Sequence, residues 1–262
     1  MRRRHRTPTP MAITEAELSS LTRNLDELHH DVGMPAMHAA LDRWTEEIRT
    51  SRRGFLIGAG AVLGGAVLAA CGTSSSSSTT TTTTAGGGSG TTTARLTGDL
   101  AVAALAAGLE NLAVAAYGDV LTAAGAGKLG AVPPAVATFV TTVKGQHTQH
   151  ARAWNSALVA AGHPAITGPD QALVPTVDAA FAKVTDVAGA AELALTLEDI
   201  AAATYLSAIS AVTATSSIEV AASIQPVEMQ HAAVLNFVLG QYPVPDAFAP
   251  VTGARTLADN RG

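Results

Sequence analysis

The chain has 262 residues, of which 47% are hydrophobic and only 4% are aromatic, so it can bury a core built mainly from small side chains. Its net charge is −5, and residues 71–262 carry 13 acidic against 7 basic side chains. This balance excludes DNA or RNA as an expected partner, because nothing would neutralise phosphate. The single cysteine excludes an internal disulfide and a cysteine-based zinc site.

Residues 1–50 are polar and charged and contain two short helical patterns, at about residues 15–30 and 35–48. Four side chains here are conceivable metal ligands: His29, His30, Asp31 and His38. Short charged amphipathic segments are usually solvated faces, however, and this is the prediction for the segment. Residues 1–50 are therefore interpreted as a polar, partly helical cytoplasmic region, with Met11 as an alternative start to Met1.

A targeting signal is expected at residues 51–71. Arg52 and Arg53 lie in the run SRRGFL, which closely resembles the twin-arginine export motif. The apolar stretch that follows is glycine-rich, is shorter than a typical membrane span, and ends in LAACG at residues 68–72, which resembles a bacterial lipobox. The resemblance implies export by the twin-arginine machinery, cleavage before Cys71, and a lipid anchor on Cys71 at the outer face of the cytoplasmic membrane. The alternative is a signal anchor that is never cleaved.

Residues 72–95 consist almost wholly of Ser, Thr and Gly. Such a composition buries too little apolar area to offset the entropy lost on ordering, which predicts a disordered linker. A flexible chain of this length reaches about 25 Å, enough to hold a domain clear of lipid headgroups.

Residues 96–240 are predicted to form an all-α four-helix bundle, followed by a C-terminal tail at residues 241–262. Alanine, the strongest helix former, is abundant here. The four helices are expected at about residues 97–124, 134–161, 187–213 and 217–240. Pro134 favours a first helical turn, and Asp186 is a good N-cap. The longer connection after the second helix, with one short helix near residues 177–184, fits a crossover between the two halves.

The bundle contains an internal repeat. LENLAVAAY at residues 109–117 matches LEDIAAATY at residues 197–205, so the first and third helices correspond. HTQHA at residues 147–151 matches EMQHA at residues 228–232, so the second and fourth helices correspond. The domain is therefore predicted to be a duplicated helical hairpin.

Six ionisable side chains fall on otherwise apolar faces of these four helices. They are Glu110, His147, His150, Glu198, Glu228 and His231. If all four faces point into one core, three carboxylates and three imidazoles converge at one level, where they would not be left unsatisfied. Hard and borderline divalent metals are the natural partners of such a mixed site. The alternative is a set of buried ion pairs between glutamates and histidines, without metal.

The pattern resembles the ferritin-like superfamily of di-iron carboxylate four-helix bundles over the whole predicted bundle. In that family two helices each give one glutamate, and the other two each give an E-x-x-H pair. The resemblance implies terminal ligands at Glu110 and Glu198 and one full pair at Glu228 and His231. It also implies that His150 corresponds to the second family histidine.

His147 departs from the family pattern, because it stands where the family places a bridging glutamate. With three carboxylates instead of four, a lone or mixed metal site becomes more plausible than a symmetric pair of irons. The resemblance thus implies iron, as one ion or two, or manganese, with zinc and copper as alternatives. Tyr117 and Tyr205 are expected to hydrogen-bond the ligating carboxylates, or else to be ordinary core tyrosines.

Two functions are compatible with these motifs. The first is an exported, lipid-anchored ferritin-like protein that binds one or two transition-metal ions, for metal oxidation or for oxygen or peroxide handling at the cell envelope. The second is a metal-free ferritin-like scaffold or interaction protein of the envelope. The membrane, through Cys71, and the export machinery are the expected partners. A homodimer, a redox partner and enzymatic activity are left open.

Overall fold

The computed structural model of the protein describes residues 13–68 and 96–257, of which residues 53–68 are described by their backbone alone. The described residues form helices and connections and contain no β-strand, which confirms the predicted all-α class. Met11, Cys71 and the whole predicted linker at residues 72–95 lie outside the described residues, as does the side chain of Arg53.

Seven α-helices and one π-helical turn occur in the described part of the chain. In order they are α1 (Glu15–Leu28), the π turn (His29–Gly33), α2 (Met34–Leu68), α3 (Gly98–Gly125), α4 (Pro134–Ala160), α5 (Val174–Phe181), α6 (Val187–Ile209) and α7 (Thr215–Val238). The four predicted bundle helices are α3, α4, α6 and α7, and α5 is the short helix expected in the crossover connection.

Local side-chain chemistry explains where the bundle helices begin. Pro134 occupies the first turn of α4, where its missing N–H costs nothing. The Asp186 carboxylate caps α6 by accepting a hydrogen bond of 2.8 Å from the backbone N–H of Gly189. Asp99, in the first turn of α3, accepts hydrogen bonds of 2.9 Å from the backbone N–H groups of Thr213 and Ala214. Asp99 thereby ties the start of α3 to the start of α7.

The bundle is two helical hairpins, as the repeat predicted, because α3 packs mainly on α4 and α6 mainly on α7. Its core has two apolar layers, one around Trp154 and Ile224 and the other around Phe139 and Leu235. Along each helix, the six predicted ionisable side chains fall between these layers. Among the described residues, α3 alone is long and apolar enough to cross a membrane, yet 72% of its most apolar stretch is buried, as expected of a core helix.

Residues 13–52, hereafter the N-terminal segment, pack on the bundle. α1 and α2 lie against α4 and α7. They bury a row of apolar side chains: Leu18, Leu25, Met37, Leu41 and Trp44. The Trp44 ring meets the Trp154 ring edge to face, with centroids 6.0 Å apart. The prediction that this segment is solvated is therefore wrong, because its apolar residues recur at helical spacing and its charges occupy only the outer faces.

The twin-arginine run does not interrupt α2, which passes through it without a break. Arg52 donates a hydrogen bond of 3.1 Å from Nη1 to the backbone oxygen of Ala160. This carbonyl lies at the C-terminal end of α4, where the partial negative charge of the helix favours a cation. The start of the predicted leader is thus in contact with the bundle through Arg52.

Candidate metal centre

The six predicted side chains meet in the middle of the bundle, and each is at most 2% exposed. They form two overlapping groups in which the candidate ligand atoms lie within 4.8 Å of one another. The first group is Glu110, His147, His150 and Glu228, and the second is His147, Glu198, Glu228 and His231. The predicted convergence is therefore confirmed, whereas metal binding by these residues stays a prediction.

Helical spacing explains how four helices bring six ionisable side chains to the same level of the bundle. His147 and His150 are three residues apart on α4, and Glu228 and His231 are three apart on α7, so each pair lies on one face about one turn apart. The remaining two groups come singly from α3 and α6.

His147 lies between the two single glutamates. Its Nδ1 is 2.8 Å from Glu110 Oε2, and its Nε2 is 3.1 Å from Glu198 Oε1. The other oxygen of Glu198 is 3.2 Å from His231 Nδ1. The imidazole that replaces the expected glutamate thus contacts a carboxylate through each ring nitrogen.

Glu228 is the carboxylate that both groups share, and it is the one that lacks hydrogen bonds. Its Oε1 lies 3.1 Å from His150 Nδ1, and its Oε2 lies 3.5 Å from His231 Nδ1. Neither contact is aligned as a hydrogen bond, so both oxygens of Glu228 and Nδ1 of His150 are buried without one. Leaving buried polar atoms without a hydrogen bond is costly, even beside opposite charges. These three atoms would be satisfied by a metal ion, and the mixed carboxylate and imidazole donor set suits one.

Two tyrosines hold the single glutamates crosswise. Tyr117 on α3 donates a hydrogen bond to Glu198 on α6, and Tyr205 on α6 donates one to Glu110 on α3. The Tyr205 hydroxyl accepts a hydrogen bond of 2.7 Å from Trp154 Nε1. The expectation that both tyrosines bond these carboxylates is confirmed, and each tyrosine serves the glutamate of the opposite repeat half.

Opposite charges dominate the acid–base behaviour of the cluster. Burial alone would raise the pKa of Glu110, but His150 and His147 outweigh it and lower the pKa to about 2. Burial likewise would lower the pKa of His150, but the neighbouring Glu110 and Glu228 raise it to about 9. Burial would also lower the pKa of His231, but Glu198 and Glu228 outweigh it and raise this pKa above its ordinary value. Without metal, the cluster therefore holds imidazolium rings against carboxylates.

Two buried residues at the centre were not predicted. The sequence predicts a solvated face for His29, but its side chain is 3% exposed, and its Nε2 lies 3.2 Å from His150 Nε2. Burial and the neighbouring imidazoles, that of His150 first among them, lower the pKa of His29 to about 3. Gln146 is 1% exposed, and its Oε1 accepts a hydrogen bond of 2.7 Å from His231 Nε2.

A sequence signal for His29 did exist. The buried stripe of α1 runs through Leu18, Thr22 and Leu25 at spacings of four and three residues, and His29 continues it. The other three candidates in this region, His30, Asp31 and His38, are exposed and lie outside the cluster.

A small cavity of about 20 Å³ adjoins the cluster beside Glu110 and His147. The rest of its wall is apolar and includes Leu109, Leu173 and Leu197. A cavity of this size holds about one water-sized molecule.

The fold and the site together define a helical-bundle protein with the donor set of a metal centre in its core. The family model described as "Ferritin-like domain" matches residues 98–241, more than half of the chain, and the chain belongs to this family. The match covers α3 to α7 and leaves out the N-terminal segment. Comparisons with curated proteins and with solved structures give no match.

Proposed function

We propose that the protein binds one or two transition-metal ions in its ferritin-like bundle and serves in metal oxidation or in oxygen or peroxide handling. The observation that carries this proposal is Glu228, a fully buried carboxylate with no hydrogen bond, in the midst of three imidazoles and two further carboxylates. Groups of this kind are retained in a core when something satisfies them, and a cation is the partner that the donor set suits.

The two groups would share Glu228, because its Oε1 faces His150 of the first group and its Oε2 faces His231 of the second. His147 belongs to both groups as well. A neutral imidazole that keeps one ring proton has one free lone pair, so His147 would bind one ion at a time. The two groups would therefore not be equivalent as ligand sets.

Iron or manganese, when bound, supplies one-electron redox chemistry, and zinc or copper uses the same donors. The protein contributes a dry, fixed setting: the apolar layers above and below exclude bulk water. Tyr205 and Tyr117 fix the orientation of the Glu110 and Glu198 carboxylates. The cavity beside Glu110 and His147 offers a place for a small molecule within reach of both side chains.

Metal analysis of the purified full chain tests this proposal. After expression in medium supplemented with iron and manganese, we expect about one to two ions per chain, with an optical spectrum that reports the metal. A content below ~0.2 ion per chain in the folded protein would overturn the proposal.

A metal-free scaffold is the second candidate, and one observation favours it. Glu110 and Glu198 are fully engaged by histidines and tyrosines without any ion, and such buried networks hold helices together. Measuring the metal content separates the two candidates, because the scaffold predicts a folded, metal-free protein in supplemented medium.

We further propose that the protein is exported by the twin-arginine route and anchored by lipid on Cys71, as the runs SRRGFL and LAACG support. Replacing Arg52 and Arg53 with lysines is expected to keep the chain in the cytoplasm almost completely. The Cys71→Ser variant is expected to carry no lipid and to accumulate at the precursor mass. Cell fractionation and intact-mass measurements report both effects.

Arg49→Lys is the matched control for the paired arginines, because Arg49 is an exposed arginine on the same helix just before the pair. It should export like the unmodified chain. Normal export of the double-lysine variant, or lipid on the Cys71→Ser chain, would contradict the proposed route.

A further inference from the structure

His150 and His231 correspond to the two histidines of the family pattern. Each has an inner ring nitrogen, which faces the carboxylates of the cluster, and an outer one, which faces away from them. Nδ1 of His150 and Nδ1 of His231 face the carboxylates of the cluster, at 3.1 Å from Glu228 and 3.2 Å from Glu198 respectively. Their Nε2 atoms contact other groups: His29 for His150, and Gln146 for His231. The N-terminal segment, which lies outside the matched family domain, reaches both of these outer contacts.

The contact to His150 is direct. His29 Nε2 lies 3.2 Å from His150 Nε2, and the ring centroids are 5.3 Å apart. His29 opens the π turn, in which its carbonyl accepts a hydrogen bond from the backbone N–H of Met34, five residues on. π-Helical turns of this kind frequently occur at functional sites, and here the turn lies where a side chain enters the core.

The contact to His231 passes through one intermediate. His231 Nε2 donates to Gln146 Oε1 at 2.7 Å, and Gln146 Nε2 donates to Asp26 Oδ1 at 3.3 Å. Asp26 lies three residues before His29, near the end of α1. Both outer nitrogens are therefore connected to the same few residues of the N-terminal segment.

We propose that, in the chain not yet cleaved before Cys71, the N-terminal segment is part of the metal centre, with His29 as a positioning residue that accepts the Nε2 proton of His150 and thereby holds Nδ1 free for a transition-metal ion. Asp26, through Gln146, acts more weakly in the same way on His231. Metal-bound histidines generally donate their second ring N–H to a fixed acceptor, and loss of that acceptor typically costs 10- to 100-fold in metal affinity. The inference rests on the proposed metal-binding function.

Three variants of the full chain test the role of His29. His29→Leu keeps a buried apolar side chain but removes the acceptor, whereas His29→Gln retains an acceptor oxygen. His38→Leu makes the first change at an exposed histidine of the same segment. Affinity for Zn²⁺ and Mn²⁺ is measured by competition with a chelator, and the thermal midpoint of each metal-free protein is measured in parallel.

We expect His29→Leu to weaken metal binding about 10- to 100-fold, His29→Gln to stay within about threefold of the unmodified chain, and His38→Leu to bind normally. Equal binding by His29→Leu overturns the inference and leaves the proposed function intact. Equal losses in His29→Leu and His29→Gln also overturn it, since they would show that His29 acts by packing. An unmodified chain that binds neither metal overturns the proposed function and this inference together.

Discussion

Replacing Glu228 with glutamine is expected to lower metal affinity at least ~100-fold, which exceeds the typical effect of losing an outer hydrogen-bond partner. Glu228 is the carboxylate common to both candidate groups, so its loss weakens both positions at once. Glutamine has the same shape but carries no charge and offers one acceptor oxygen instead of two. Metal content and chelator competition on the full chain measure the effect.

Glu219→Gln is the matched control, because Glu219 lies on the same helix but is half exposed and pairs with Arg43. Exposed pairs contribute little, so this variant should bind metal and melt almost normally. Circular dichroism shows whether Glu228→Gln keeps its helices. A folded Glu228→Gln protein that retains the normal metal content would remove Glu228 from the proposed centre.

The stability of the metal-free protein is expected to peak near pH 6.5 and to fall on both sides. The pKa of His150 is raised from 6.5 to about 9, so its stabilising contribution is complete below pH 6.5 and is lost as the pH rises through about 9. The pKa of Glu110 is lowered from 4.5 to about 2, so its contribution is present above pH 4.5 and is lost as the pH falls through about 2.

His29 also lowers the stability of the metal-free protein on the acid side of this profile. Its pKa falls from 6.5 to about 3, so the folded state resists a proton that the unfolded chain accepts, and stability declines as the pH falls from 6.5 to about 3. On the alkaline side, His150 alone corresponds to a loss of about 3 kcal/mol. Chemical denaturation in the presence of a chelator, from about pH 4 to pH 9.5, measures the profile.

Added metal should change the alkaline side of this profile. Metal binding requires neutral imidazoles, and the histidines of the unfolded chain lose their protons near pH 6.5, so the metal-bound protein should gain stability as the pH rises to about 6.5 and keep it above that pH, where the metal-free protein loses stability. A metal-free protein whose stability climbs steadily from pH 6.5 to pH 9 would show that the imidazolium–carboxylate pairs do not contribute as described.

The bundle and the six central residues could be predicted because their signals are local and repeated. Helical spacing places His147 with His150, and Glu228 with His231, on single faces, and the duplicated sequence relates the two halves. Charged side chains on faces that are otherwise apolar are then expected to meet in the core of the bundle. The ends of the helices follow from Pro134 and Asp186, whose capping chemistry is also local.

The crosswise bonding of the tyrosines could not be predicted in detail. The sequence places Tyr117 seven residues after Glu110 and Tyr205 seven after Glu198, which suggests that each tyrosine shares a face with its own glutamate. Because the Tyr117–Glu198 and Tyr205–Glu110 contacts both span α3 and α6, each hydroxyl meets the glutamate of the opposing helix. This pairing depends on how α3 and α6 pack together, which cannot be predicted from the spacing of residues within one helix.

The burial of the N-terminal segment also depends on tertiary packing. Its overall polarity resembles that of a solvated peptide, and the outcome depends on a narrow stripe that includes Leu25 and His29. Whether such a stripe is buried depends on a matching surface elsewhere, here the outer faces of α4 and α7. The role of Gln146 is likewise not predictable from the sequence, since a glutamine beside His147 has no local feature that sets the direction of its side chain.

The packing of residues 13–52 against the bundle sets an order of events for an exported chain. A lipid bilayer has an apolar thickness of about 30 Å, and one inserted between residues 52 and 96 would separate Arg52 from Ala160 and His29 from His150, which are now in contact. If the chain is exported as proposed, the docked arrangement would belong to a single compartment and would precede translocation, and cleavage before Cys71 would then remove His29. An ion bound with the help of His29 would therefore be acquired before export.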